Sequence, residues 1–146
     1  MIELVATVVI TLSSVLLFGY WFRYTCMLIL SAKTARDYAG QVAAQNQLGF
    51  LEVQSQLQAN ALVLDPLREA LDRDYAVLSR LLKESADSSA IENRMLDINY
   101  RLNAMWYSAA SRLAPASARK ALQEMSMVIA HLANAMGEQA ASSAAA

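Results

Sequence analysis

The chain has 146 residues, a hydrophobic content of 56% and a net charge of −1, with only four glycines and two prolines. This composition favours an all-α protein. Charges of both signs are interspersed, which excludes the basic face needed for nucleic acid, so we expect no nucleic-acid partner. Cys26 is the single cysteine, so neither an intrachain disulfide nor a zinc site built from several cysteines is available.

The apolar run over residues 4–22 contains no charge. A helix through these nineteen residues is about 28 Å long, close to the thickness of one hydrocarbon core. The run begins after Glu3 and ends in bulky aromatic residues, unlike a cleaved secretory signal. We therefore predict a transmembrane anchor over residues 1–31, with Trp21 and Arg23 at the level of the lipid headgroups.

Basic residues stand on only one side of this anchor. Arg23, Lys33 and Arg36 follow the apolar run, whereas Glu3 is the only charged side chain before it. Because basic residues are retained on the cytoplasmic side, the N-terminus should lie outside and the C-terminal part in the cytoplasm. We expect a single-pass protein of a bacterial inner membrane.

Thr7, Thr11 and Ser14 lie at i, i+4 and i+7 and so share one stripe of the anchor helix. Small and hydroxyl side chains allow close helix approach in lipid, which makes this stripe a candidate helix contact. Alternatively, each hydroxyl bonds the carbonyl four residues before it and has no further role. Cys26, at the cytoplasmic edge, is either a palmitoylation site or a small apolar residue.

The opening residues Ile2-Glu3-Leu4-Val5 resemble the start of type IV pilins. In that family an apolar N-terminal helix carries an early glutamate and continues into an amphipathic helix. The resemblance implies a filament subunit, and we keep a pilin-like filament subunit or a self-assembling helical scaffold as an alternative function.

Residues 32–64 contain no proline, and we predict one helix that continues the anchor. Apolar and asparagine residues recur there at heptad-like spacing: Tyr38, Val42, Asn46, Gly49, Val53, Leu57, Asn60 and Leu64. Asn46 and Asn60 would set the register of a helix pair, or would be solvated gaps in the seam.

The surface of this helix is rich in glutamine and carries Glu52 as its only charge between Tyr38 and Leu64. An uncharged polar helix with apolar residues on more than one face suits burial between helices. We therefore predict a partner interface there, formed by Leu48, Leu51, Gln54 and Gln58.

Three further helices complete an antiparallel bundle over residues 32–138. Asp65-Pro66 ends the first helix and begins a second over 66–84, because aspartate is a good N-cap and proline is favoured at the first helical position. Its apolar stripe is Leu67, Leu71, Tyr75, Leu78 and Leu82. A capping box at Ser89 and Glu92 should begin the third helix, 90–113.

We expect the helix over 90–113 to be the most buried of the bundle. Its stripe is Ile91, Met95, Ile98, Leu102, Met105, Ala109 and Leu113, and four larger side chains widen the apolar face: Leu96, Tyr100, Trp106 and Tyr107. Trp106 should bury most of its ring. Pro115 should end the third helix. A fourth helix over 116–136 repeats the heptad spacing at Ala118, Leu122, Met125, Ile129, Leu132 and Met136, and should end at Gly137, before a disordered tail over 139–146.

No pattern typical of a catalytic site is present, and we expect no enzyme activity and no cofactor. His131 is the only histidine, and neither a nucleophile elbow nor paired Glu-x-x-His motifs accompany it. A haem held by His131 and a methionine is a second alternative. The sequence thus predicts a structural or accessory subunit that associates with other helical membrane subunits or with itself.

Overall fold

The computed structural model describes residues 1–32, 37–84 and 90–145. These residues form helices and no strand. Six helices follow one another along the chain: α1 (Ile2–Ser31), α2 (Ala39–Asn46), α3 (Phe50–Gln58), α4 (Asp65–Glu84), α5 (Ala90–Ala110) and α6 (Pro115–Ala145). The all-α fold predicted from composition is confirmed.

The chain divides into two compact units, residues 1–32 and residues 33–146. The first unit is α1, a thirty-residue helix most of whose apolar side chains are exposed, while Cys26 is buried. By length and composition α1 could cross a membrane, and none of its most apolar window is buried by protein. A helix that is apolar all round is typical of burial in lipid or in a large core.

In the second unit, α6 is the central helix, with α2, α3, α4 and α5 all packed against it. Long-range hydrogen bonds give the directions of the helices. The backbone N–H of Tyr38, just before α2, donates to Asn134 of α6, whereas Asn60, just after α3, accepts from Arg119 near the start of α6. Asn103 of α5 donates to Glu124, whereas Glu92 at the start of α5 acts on His131. Helices α2, α3 and α5 therefore run antiparallel to α6. The short helices α2 and α3 follow each other along α6.

The helix predicted over 32–64 is wrong, because the structure divides it into α2 and α3. Gln47 adopts a left-handed conformation (φ 54°) that ends α2, and Gly49 precedes α3. The Gly49 N–H donates to the buried Asp74 carboxylate of α4 at 2.8 Å. This long-range bond replaces the helical bond at the break, and spacing along 32–64 alone could not reveal it.

The two seam asparagines do not pair across a helix interface. The Asn46 side chain donates to the carbonyl of Val42 within α2. Asn60 lies in the left-handed region (φ 57°) beyond the end of α3, where its side-chain oxygen accepts from Arg119 at 2.9 Å. Arg119 also donates to the carbonyl of Ala61. Asn60 thus belongs to a turn that is hydrogen-bonded to Arg119 of α6.

The later helix boundaries agree closely with expectation. Helix α4 begins at Asp65-Pro66, and four of its five predicted stripe residues are buried: Leu67, Leu71, Leu78 and Leu82. Helix α5 ends three residues before the predicted 113, and α6 begins at Pro115. The predicted capping box includes Ser89, which lies outside the described residues.

Helix α6 does not end at Gly137, and the predicted tail from residue 139 is helical as far as Ala145. Gly137 is buried where Tyr38 crosses α6. A Cβ atom at residue 137 would overlap the Tyr38 Cβ and lie 2.8 Å from its Cγ. Glycine here permits a close helix approach and does not act as a helix end.

Candidate association surface

Helix α5 presents two faces of different character. The face toward α6 and α4 is buried and mixes apolar residues with tyrosine and asparagine: Leu96, Asn99, Tyr100, Asn103, Tyr107 and Ala110. Asn103 donates to the carbonyl of Asn99 and to Glu124. The Asn99 Nδ2 atom has no hydrogen-bond partner among the described residues.

Tyrosine–aspartate pairs join α4 to α5. The Tyr107 hydroxyl donates to Asp65 at 2.6 Å, and the Tyr100 hydroxyl donates to Asp72 at 2.8 Å. Tyr75 donates to Asp97 in the reverse direction across the same interface, and its ring stacks on Tyr100 with centroids 3.9 Å apart.

Arg68 is enclosed by this network. Its guanidinium pairs with Asp72 at 2.9 Å, lies 5.4 Å from the centroid of the Tyr107 ring and donates to the carbonyl of Ala104. Arg68 therefore links α4 to α5 through the Tyr107 ring and the Ala104 carbonyl, while its ion pair with Asp72 lies within α4.

Burial, followed by the neighbouring carboxylates, raises the pKa of each tyrosine. Desolvation and Asp65 raise the pKa of Tyr107 to about 12, and the pKa values of Tyr75 and Tyr100 rise well above the usual value for the same two reasons. All three hydroxyls stay protonated near neutral pH, so they serve as hydrogen-bond donors. The interface is structural and supplies no activated nucleophile.

The sequence does contain a signal for these tyrosine–aspartate pairs, although the apolar stripes alone do not show it. Asp65 and Asp72 stand seven residues apart on α4, and Tyr100 and Tyr107 stand seven apart on α5. Equal spacing on antiparallel helices allows both pairs to form at once.

The opposite face of α5 is apolar and exposed. We define the α5 stripe as six large exposed residues, five on α5 and Leu113 in the turn after it, with exposed fractions as follows: Ile91 77%, Ile98 43%, Leu102 50%, Met105 69%, Trp106 58% and Leu113 88%. Five of the six belong to the heptad stripe recognised in the sequence, and the sixth, Trp106, directly follows Met105. No described residue covers this face.

Two predictions about α5 are therefore wrong. The most buried helix of the bundle is α6, and Trp106 leaves more than half of its surface exposed. The reason is which face of α5 packs inward: Tyr100, Tyr107 and Asn103 lie on the inner face because α4 and α6 provide their hydrogen-bond partners. Heptad spacing identified an apolar face without showing which partner covers it.

The interface predicted from Leu48, Leu51, Gln54 and Gln58 does not form one uniform surface. Leu48 is half-buried in the turn between α2 and α3, and the Gln54 amide reaches Ser126 of α6 at 3.5 Å. Leu51 and Gln58 are exposed on α3. The break at Gln47 separates Leu48 from the helix that carries the other three.

The predicted membrane residues all lie on α1. The hydroxyls of Thr7, Thr11 and Ser14 each donate to the carbonyl four residues earlier, at 2.8 Å, as the alternative for this stripe proposed. Trp21 is exposed and packs edge-on against Tyr24, and Arg23 is exposed two residues later.

His131 is half-buried on α6, and desolvation lowers its pKa, opposed by the charges of Glu92 and Glu138. The described residues contain no group of three or more His, Cys, Asp or Glu side chains that could hold a metal ion. Cys26 is a buried thiol.

Comparison of the chain with protein-family models, with characterised proteins and with solved structures found no match.

Proposed function

We propose that this chain is a non-enzymatic, single-pass membrane protein that acts as a structural or accessory subunit of a membrane-bound complex through helix–helix association. The observation that carries the proposal is the α5 stripe, an apolar helix face that no described part of the chain covers. Contiguous exposed apolar surface of this kind marks an interaction site when it lies on a folded domain.

The rest of the bundle supports an interface in preference to a poorly packed core. Large side chains behind the stripe are completely buried, among them Leu96 of α5 and Leu122, Met125 and Ile129 of α6. The bundle is therefore closed without the stripe residues. Their exposure is a property of the outer surface.

The length and apolar character of α1 support a membrane location. The proposed orientation places the N-terminus outside and residues 33–146 in the cytoplasm of a bacterial cell, because Arg23, Lys33 and Arg36 all follow the span. A reporter fused after Ala146 should be active only if it functions in the cytoplasm. Activity of a periplasmic reporter at that site would overturn the orientation.

Association is tested by extracting the full chain from its native membrane in a mild detergent and measuring the size and composition of the particles. The wild-type chain should leave the membrane with other chains or as a multimer. A variant with Leu102→Glu and Met105→Lys should be released from the assembly without loss of helicity.

Leu51→Glu is the matched control, because Leu51 on α3 is exposed to a similar extent as Leu102. It should have less effect than the α5 variant. A wild-type chain that is monomeric, without any co-purifying protein, would contradict the proposed function.

A further inference from the structure

We propose that a second copy of this chain covers the α5 stripe, as a parallel, in-register two-stranded coiled coil between the α5 helices. The inference rests on the proposed function, since it names the partner through which association occurs. It follows from the spacing, area, charge and direction of α5.

The spacing along α5 is that of a coiled-coil seam. Steps of four and three residues alternate through the row Ile91, Met95, Ile98, Leu102, Met105 and Ala109. This period of 3.5 residues keeps a narrow row facing one partner helix along its whole length. A helix lying on a lipid surface has no need of that period.

The apolar area matches that of a protein interface. With the exposed fractions given above, the six stripe residues present on the order of 800 Å², the share that each partner contributes to an interface of standard size. A second copy offers the same area and the same heptad spacing, so the two surfaces are complementary by symmetry.

The charges beside the stripe also favour a protein partner. Glu92 and Asp97 alternate with Arg94 and Arg101, and Arg101 pairs with Asp97 at 3.1 Å. Because acidic and basic residues are equal in number beside the stripe, they form no basic surface for anionic lipid headgroups. In a parallel pair, Arg101 of one copy lies beside Trp106 of the other, in position for a cation–π contact.

The direction of the pair follows from where the chain enters the bundle. Tyr38 binds Asn134 of α6, at the level where the antiparallel α5 begins, since Glu92 of α5 acts on His131 of α6. A parallel α5 pair puts both of these points at the same end of the dimer, so that both anchors can enter one membrane. An antiparallel pair would put them at opposite ends.

Disulfide trapping tests this arrangement in the full-length chain in mild detergent, with Cys26→Ala as the background. Ile91→Cys and Leu102→Cys should each form a disulfide-linked dimer under mild oxidation, because equivalent seam positions of a parallel pair lie close enough to bridge. Val77→Cys, an exposed position on α4, is the control and should remain monomeric under the same conditions.

In an antiparallel pair the two copies of Ile91 would be roughly 30 Å apart, and only the Leu102 variant could cross-link. Such a result would overturn the parallel arrangement. If neither α5 variant cross-links while the wild-type chain still associates, the second-copy proposal fails and the proposed function survives. A monomeric wild-type chain without a partner would defeat both.

Opposite charges at one seam position give an independent test. Leu102→Glu and Leu102→Lys should each be at least tenfold weaker in self-association than the wild type, with unchanged helicity. An equimolar mixture of the two should recover a mixed dimer, since the two side chains face each other in register.

Lipid as the occupant is tested by quenching of Trp106 fluorescence in a Trp21→Phe variant, reconstituted with lipids brominated in their acyl chains. Trp106 should be quenched little if a second copy covers it. Strong quenching without cross-linking would overturn the proposal in favour of a lipid contact.

Discussion

Helices α5 and α6 lie side by side, and in sequence both carry an apolar row at heptad spacing. On α6 the row is buried, with Ala118, Leu122, Met125, Ile129 and Leu132 all in the core. On α5 the row is largely exposed. The same heptad spacing is therefore buried on one helix and largely exposed on its neighbour.

The residues outside the rows explain the difference. Helix α6 has small side chains beside its row, at Ala121, Ala133 and Gly137, so that neighbouring helices approach it from several sides. Helix α5 has Tyr100 and Tyr107 beside its row, and their hydroxyls find carboxylate partners only on α4. Because these hydroxyls need hydrogen-bond partners when they are buried, they determine which face of α5 packs against the other helices.

The largest expected effect contrasts two matched substitutions, made in a Leu102→Glu background that should weaken self-association. Ile129→Ala on α6 should lower the free energy of unfolding by about 2–5 kcal/mol, because it leaves a cavity in the core. Ile98→Ala on the α5 stripe should change it by less than about 0.5 kcal/mol, as is usual at exposed sites.

Denaturant titration followed by circular dichroism measures both values. Equal losses at the two positions would show that the α5 row is part of the core, and would remove the contrast between the helices.

The next largest effect on stability concerns the close approach of Tyr38 to Gly137 of α6. Gly137→Ala should lower the free energy of unfolding by about 1–3 kcal/mol, because the new methyl group overlaps Tyr38 and forces the backbones apart. Gly40→Ala on α2 meets no atom within 4 Å and should stabilise the protein by up to about 1 kcal/mol. Thermal unfolding of the two variants should therefore shift in opposite directions.

The polar contacts of α5 give a smaller effect. Tyr100→Phe removes the hydroxyl that donates to Asp72 and should lower the free energy of unfolding by roughly 1.5 kcal/mol. A double-mutant cycle with Asp72→Asn isolates the pair, and the combined variant should lose less than the sum of the two single losses. Strict additivity would show that the hydroxyl and carboxylate act independently.

The smallest effect concerns pH. Desolvation lowers the pKa of His131, so the folded chain binds a proton less readily than the unfolded chain, whose histidine titrates near pH 6.5. The resulting stability is complete above that value and is lost as the pH falls through the folded pKa. Denaturant midpoints at pH 7.5 and 5.5 should differ less for His131→Gln than for the wild type.

The charges of Glu92 and Glu138 oppose the shift. Their combined replacement by glutamine should therefore increase the pH dependence. The reverse result would mean that the carboxylates, and not burial, dominate the histidine's surroundings.

The sequence by itself determined the features that depend on neighbours along the chain. The uninterrupted apolar run specified α1, and the Asp65-Pro66 and Pro115 signals located the starts of α4 and α6. Periodicity also located most of the apolar side chains of α4 and α6 that became core. Each of these outcomes follows from backbone geometry and local capping, which nearby residues specify.

Only the tertiary structure decided which surfaces meet. The break between α2 and α3 depends on Asp74 reaching Gly49, and the persistence of α6 past Gly137 depends on contact with Tyr38. The outward turn of the α5 stripe likewise depends on hydrogen bonds from α5 to α4 and α6. These contacts join residues far apart in the chain, and their free energy exists only once the helices have packed.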